Sequence, residues 1–195
     1  MVRPGRDLLS GRVVVDETYL GGLEEGLSGR KTETKALIIV AAEEDGMGIG
    51  RIRMRLIADA SVKCLHAFVQ ESIVVGSIVH TDGWAGYAGL TDKGYVPKVT
   101  VMKGRKESPS ELLPRAHRVI SLLKRWLMGT HQGAVSHKHL DEFTFRFNRR
   151  NSASSGKLFF RFAQQAVAAE PATYDAIVQK TRSRSETPKL QVVVR

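Results

Sequence analysis

The chain opens with strand-like patterning and closes with helical patterning. Val13–Leu20 alternates, with Val13 and Val15 on one face and Val14 and Asp16 on the other. Ala36–Ala42 is a continuous apolar run, the mark of a strand buried on both sides. Arg51–Ile57 reads Arg-Ile-Arg-Met-Arg-Leu-Ile, a strand with one solvated face. The turn signal Glu43-Glu44-Asp45-Gly46 sits between the last two, so the three predict an antiparallel meander. Ser61 can cap a helix running to about Ile73, with Val62, Leu65, Phe68, Val69 and Ile73 on one side.

A fourth strand, Ser77–Thr81, leads into Asp82 and a turn at Gly83. A short helix over Trp84–Leu90 and a fifth strand over Tyr95–Met102 follow. Apolar residues then recur at helical spacing over Glu111–Met128, Lys138–Asn148 and Lys157–Ala169. Three strands, helix, strand, short helix, strand and then helices predict an α/β fold. It is a five-stranded mixed sheet flanked by helices, as in the ribonuclease H fold. In that arrangement the first strand, the fourth strand and a late helix converge on one metal site. Residues 1–11 read as a leader, 12–170 as the domain and 171–195 as a basic, poorly ordered tail. Residues 21–35, rich in Gly, Lys, Arg and Thr, read as a basic loop.

Charge changes the picture. Lys and Arg number 30 against 20 Asp and Glu, a net charge of +10 over 195 residues. Such a surface suits a polyanion, most often nucleic acid. No apolar run reaches a membrane-spanning length, so no membrane role is expected. The single cysteine, Cys64, excludes an internal disulfide and a cysteine-based zinc site, and a reducing cytoplasm is the natural compartment.

In so basic a chain, Asp16 and Asp82 stand out because each lies on or just beyond an apolar strand, where an unpaired charge is costly. Two strand-borne carboxylates are suited to divalent cations acting on a phosphodiester. A third ligand should come from the late helix, where Glu111 and His117 are the candidates.

Three blocks carry a specific resemblance. They are Val13-Val-Val-Asp-Glu-Thr-Tyr-Leu-Gly-Gly22, His80-Thr-Asp-Gly-Trp-Ala-Gly-Tyr-Ala-Gly-Leu90, and His117-Arg-Val-Ile-Ser-Leu-Leu-Lys-Arg-Trp-Leu-Met-Gly-Thr130. A fourth, Lys138-His-Leu-Asp-Glu-Phe-Thr-Phe-Arg-Phe-Asn-Arg-Arg150, follows in order. Together they resemble the catalytic domain of bacterial insertion-sequence transposases of the DDE type, in the ISXO-two-like group, over about residues 12–170.

The resemblance implies metal-dependent phosphodiester hydrolysis and strand transfer at insertion-sequence ends, with two Mg²⁺ or Mn²⁺ ions. It implies Asp16, Asp82 and His117 as ligands, and Lys124 as a phosphate contact. His117 takes the position of the family's third acid, with 34 residues between it and Asp82, and Lys124 lies seven residues further on, on the same helix face. Arg125, Arg146, Arg149 and Arg150 are candidate DNA-backbone contacts. Transposon-end and target DNA, a homo-oligomer in the synaptic complex and a cytoplasmic, nucleoid-associated location are implied with them.

Departures from the family pattern set a second expectation. Relatives carry an N-terminal zinc ribbon and a DNA-binding segment, whereas here the first Asp is residue 16 and cysteine pairs are absent. The last block is shorter than the family's by about four residues, roughly one helical turn. A truncated copy, or an inactive DNA-binding remnant, is the alternative; a structure-selective nuclease of the same fold is a third reading.

Overall fold

The computed structural model describes residues 7–21, 35–100, 113–130 and 137–167. The expected tail beyond residue 170 and most of the basic loop over 21–35 lie outside the described residues.

Five strands form one sheet: β1 (Arg12–Leu20), β2 (Ala36–Asp45), β3 (Gly48–Ile57), β4 (Ile78–Thr81) and β5 (Val96–Val99). Their order is β3-β2-β1-β4-β5. β2 runs antiparallel to β1 and β3, while β4 is parallel to both β1 and β5. This is the ribonuclease H-like α/β arrangement expected from the element order. β2 and β3 extend through the predicted turn, leaving Gly46 and Met47 to make it.

Four helices accompany the sheet among the described residues: α1 (Val62–Ser72), α2 (Pro114–Thr130), α3 (His137–Phe147) and α4 (Ser155–Val167). Ser61 caps α1 as the sequence predicts, its hydroxyl accepting from the Cys64 amide at 3.4 Å. Cys64 itself is half-buried rather than a core residue. The expected helix over Trp84–Leu90 is instead two 3-10 turns, Ala85–Tyr87 and Thr91–Lys93. Gly89 and Gly94 adopt φ +83° and +82°, a left-handed conformation that a regular helix cannot contain.

The strand period of two sorts the core into two layers. Val14, Ile38 and Val40 face Ala116, Val119, Leu123 and Leu127 of α2 and Phe143 of α3. Val13, Val15, Ile39 and Ala41 face Leu65, Phe68 and Val69 of α1, with Tyr87 and Tyr95. The apolar run of β2 is thus explained by burial on both faces. α4 carries Phe159 and Phe160 in solvent.

Residues 7–11 differ from the loose leader expected. Leu9 is fully buried, its amide donates to the Ser72 carbonyl, and its own carbonyl accepts from the Val74 amide. Leu8 and Leu9 stand as a pair in a polar segment too short for any periodicity, so the docking of Leu9 was not legible.

Candidate active site

Asp16 lies midway along β1 and is only 7% exposed. Strand alternation turns it, with Val14, toward α2. One carboxylate oxygen, Oδ1, accepts from the Glu17 amide at 2.9 Å. The other, Oδ2, faces Nε2 of His117 at 3.6 Å. His117 is on the first turn of α2, whose apolar face (Ala116, Val119, Ile120, Leu123) lies on the sheet and so brings the imidazole over β1.

Asp82 follows β4 directly. The β1–β4 register pairs Val14 with His80, so continuing it two residues sets Asp82 level with Asp16 and on the same face. Gly83, at φ 82°, permits the turn, and Asp82 Oδ1 accepts from the Trp84 amide at 2.9 Å. The Trp84 indole N–H donates to the Ala60 carbonyl at 3.0 Å, fixing the loop against the start of α1. Tyr87 is buried beside these carboxylates and donates to Glu17 Oε2 at 2.7 Å. Burial raises the Tyr87 phenol well above its ordinary value, and the charges of Glu17, Asp16 and Asp82 raise it further.

Burial, and then the cation of Lys124, hold the His117 imidazole below its ordinary value. Both effects favour the neutral ring, which can offer a lone pair. Its Nε2 is buried and has no hydrogen-bond partner among the described residues. A gap of 3.6 Å to Asp16 is too long for a hydrogen bond. Two donors each about 2.1 Å from a shared cation would lie about 3 to 4 Å apart, so the pair fits a divalent ion. Asp82 does not yet complete that pair. Among the described residues, no three His, Cys, Asp or Glu side chains converge as a ligand set.

The remaining sequence candidates divide. Lys124 is half-buried on α2 and acts electrostatically on His117, as two helical turns require. Arg125 is exposed. Arg146 pairs with Glu142 at 2.9 Å, and Arg149 lies 3.9 Å over the Phe145 ring. Arg150 stacks on Phe147 and donates to the Phe147, Gly50 and Ile49 carbonyls, so its donors serve the end of α3 and the edge of β3. Glu111 lies outside the described residues.

Two features escaped the sequence reading. One is the Tyr87–Glu17 bond, which links positions 70 apart; the adjacent acid at 17 was its only signal. The other is a charged cluster around Glu44, which meets Arg12 at 3.3 Å, Arg115 at 3.4 Å and His80 at 3.6 Å. With Lys98 it lines a cavity of about 460 Å³ beside the start of α2.

The sheet order and its strand directions define a ribonuclease H-like domain. The particular family follows from direct comparison: the ISXO2-like transposase domain matches residues 8–148, and the chain belongs to that family. No curated protein matches. Among solved structures, a chain of the simian T-cell lymphotropic virus intasome in complex with PP2A regulatory subunit B56 gamma is similar at 14% identity and a TM-score of 0.48. That match covers 80% of this chain but spans about half, 54%, of the other. It adds nothing to the topology above. No described helix is long and apolar enough to cross a membrane.

Proposed function

We propose that this transposase domain cuts the phosphodiester at the ends of an insertion sequence and joins the freed 3′-hydroxyl to target DNA. The observation that supports this most directly is the Asp16–His117 pair, an ionisable oxygen and an unbonded ring nitrogen 3.6 Å apart at the strand that neighbours Asp82.

Asp16, Asp82 and His117 would hold the divalent cations, Mg²⁺ or Mn²⁺, that transposases of this type use. Such ions supply Lewis-acid charge at the phosphoryl group and an activated water or 3′-hydroxyl. Asp16, on β1, and Asp82, on the turn that follows β4, would set the spacing of the site. His117 contributes a neutral donor, so the site carries one negative charge fewer than three carboxylates would. Lys124 offers a point charge to the phosphate next to the cut, and Arg125, with Arg146 and Arg149, extends the basic surface along the backbone. A net charge of +10 favours such a track. Work on two DNA ends calls for a synaptic oligomer.

The test is cleavage of duplex DNA carrying the element's own ends, with Mg²⁺ or Mn²⁺. Cleavage that is lost in Asp82→Asn supports the assignment, and unchanged cleavage in that variant refutes it. One observation favours a second reading, an inactive DNA-binding remnant: histidine replaces the third acid and the ligand set is not convergent. DNA binding without cleavage at any metal concentration selects it.

A further inference from the structure

Tyr87 has no role in the chemistry above, yet its hydroxyl crosses from the turn after Asp82 to the residue after Asp16. We infer that Tyr87 is a positioning residue, whose bond to Glu17 fixes the spacing of Asp16 and Asp82. The inference rests on the metal-site reading of those two aspartates.

The backbone ladder explains the need. β1 and β4 are paired only from Arg12–Ile78 to Val14–His80. Pairing stops two residues short of the aspartates. Beyond that point β1 stays paired with β2 as far as Leu20, whereas β4 ends at Thr81. Asp82 therefore sits on a turn that the β1–β4 ladder does not hold. The Tyr87–Glu17 bond, at 2.7 Å, spans the same interval from the other face of the sheet.

The rest of the turn makes this bond rigid. Tyr87 is 5% exposed and packed in the α1-side core. A Cβ on Gly86 would come within 2.7 Å of the Ala60 carbonyl, Leu65 Cδ1 and Trp84 Nε1, so the turn packs closely against Ala60 and α1. The turn is thus anchored to Ala60 by Trp84 and to β1 by Tyr87. Glu17 itself points to the opposite face from Asp16 and serves as the receiving end of the bond.

The experiment is Mn²⁺ binding by calorimetry on the full chain, at a temperature where thermal melts show each variant folded. Tyr87→Phe keeps the ring and removes only the hydroxyl. It should weaken Mn²⁺ affinity by about tenfold, the usual scale for groups that orient ligands. Adding it to Glu17→Leu should weaken binding no further, because the bond is already broken. A purely structural tyrosine would lower the melting temperature and leave Mn²⁺ affinity unchanged; that result, or additive losses in the double variant, overturns the inference. Should Tyr87→Phe not fold, Glu17→Leu alone carries the test, Mn²⁺ affinity equal to the parent's overturning the inference, with Glu17→Gln as its control. Gln retains an acceptor, so affinity should stay within about threefold of the parent. A loss as large as that of Asp82→Asn would make Glu17 a ligand instead. Asp82→Asn is also the control: if it binds Mn²⁺ like the parent, the metal-site reading fails, whatever Tyr87 does.

Discussion

The Nε2 of His117 lies 3.6 Å from Oδ2 of Asp16, buried and without a hydrogen-bond partner among the described residues. A helix has delivered a neutral ring nitrogen to the carboxylate of a central strand. The charge at position 117 should then govern cation affinity. His117→Glu adds a carboxylate and should tighten Mg²⁺ binding by about tenfold, while His117→Ala should weaken it. Calorimetric titration of the two variants against the parent measures both. Equal affinities in all three would remove His117 from the site.

Lys124 should report phosphate contact through salt. Each lysine that neutralises a phosphate contributes about 0.9 to the slope of log K against log salt concentration. Lys124→Ala should lower the slope by about that amount on any duplex sequence, measured by fluorescence anisotropy. Arg150→Ala should leave the slope nearly unchanged, since its guanidinium is engaged with the Gly50, Ile49 and Phe147 carbonyls.

Much of this was legible beforehand, for definable reasons. β1, β2 and β3 announced themselves because alternation and unbroken apolar runs follow from one-sided and two-sided burial. Asp16 and Asp82 were visible as acids on or beside apolar strands, whereas His117 was preferred to Glu111 only through the resemblance to the transposase family. The bonds between distant positions were not legible. Asn148 illustrates this: its place in the last sequence block suggested DNA contact nearby. In the fold its side-chain amide pairs with both backbone groups of Ile52, accepting from the N–H at 2.7 Å and donating to the carbonyl at 3.1 Å. It closes the outer edge of β3 as an added strand would. Only the three-dimensional meeting of positions 96 apart shows that role.

Asn148 should accordingly matter for stability. Asn148→Ala leaves the Ile52 N–H and carbonyl without that partner and should cost about 1–3 kcal/mol, read by urea denaturation. Asn148→Asp should be no better, because its carboxylate cannot donate to the Ile52 carbonyl. Metal affinity of the folded variants should not change.

Glu43 sets part of the acid limit. Burial alone would raise its carboxyl, but hydrogen bonds from the Arg51 side chain and from the Ser10 and Arg51 amides outweigh burial and hold it below its ordinary value of 4.5. A carboxyl lowered by folding binds fewer protons folded than unfolded, so its contribution is complete above that ordinary value. It is lost as pH falls through the lower folded one. Glu43→Gln should therefore flatten the fall in stability below about pH 4.5 and leave its slope near neutrality unaltered. Urea melts across that range check it.

The most direct test of the central claim is an anomalous difference map from crystals of the chain soaked in Mn²⁺. The account predicts a peak bounded by Asp16, Asp82 and His117, absent in crystals of Asp82→Asn. A fully occupied peak elsewhere, with Asp16 and Asp82 bare, would contradict it.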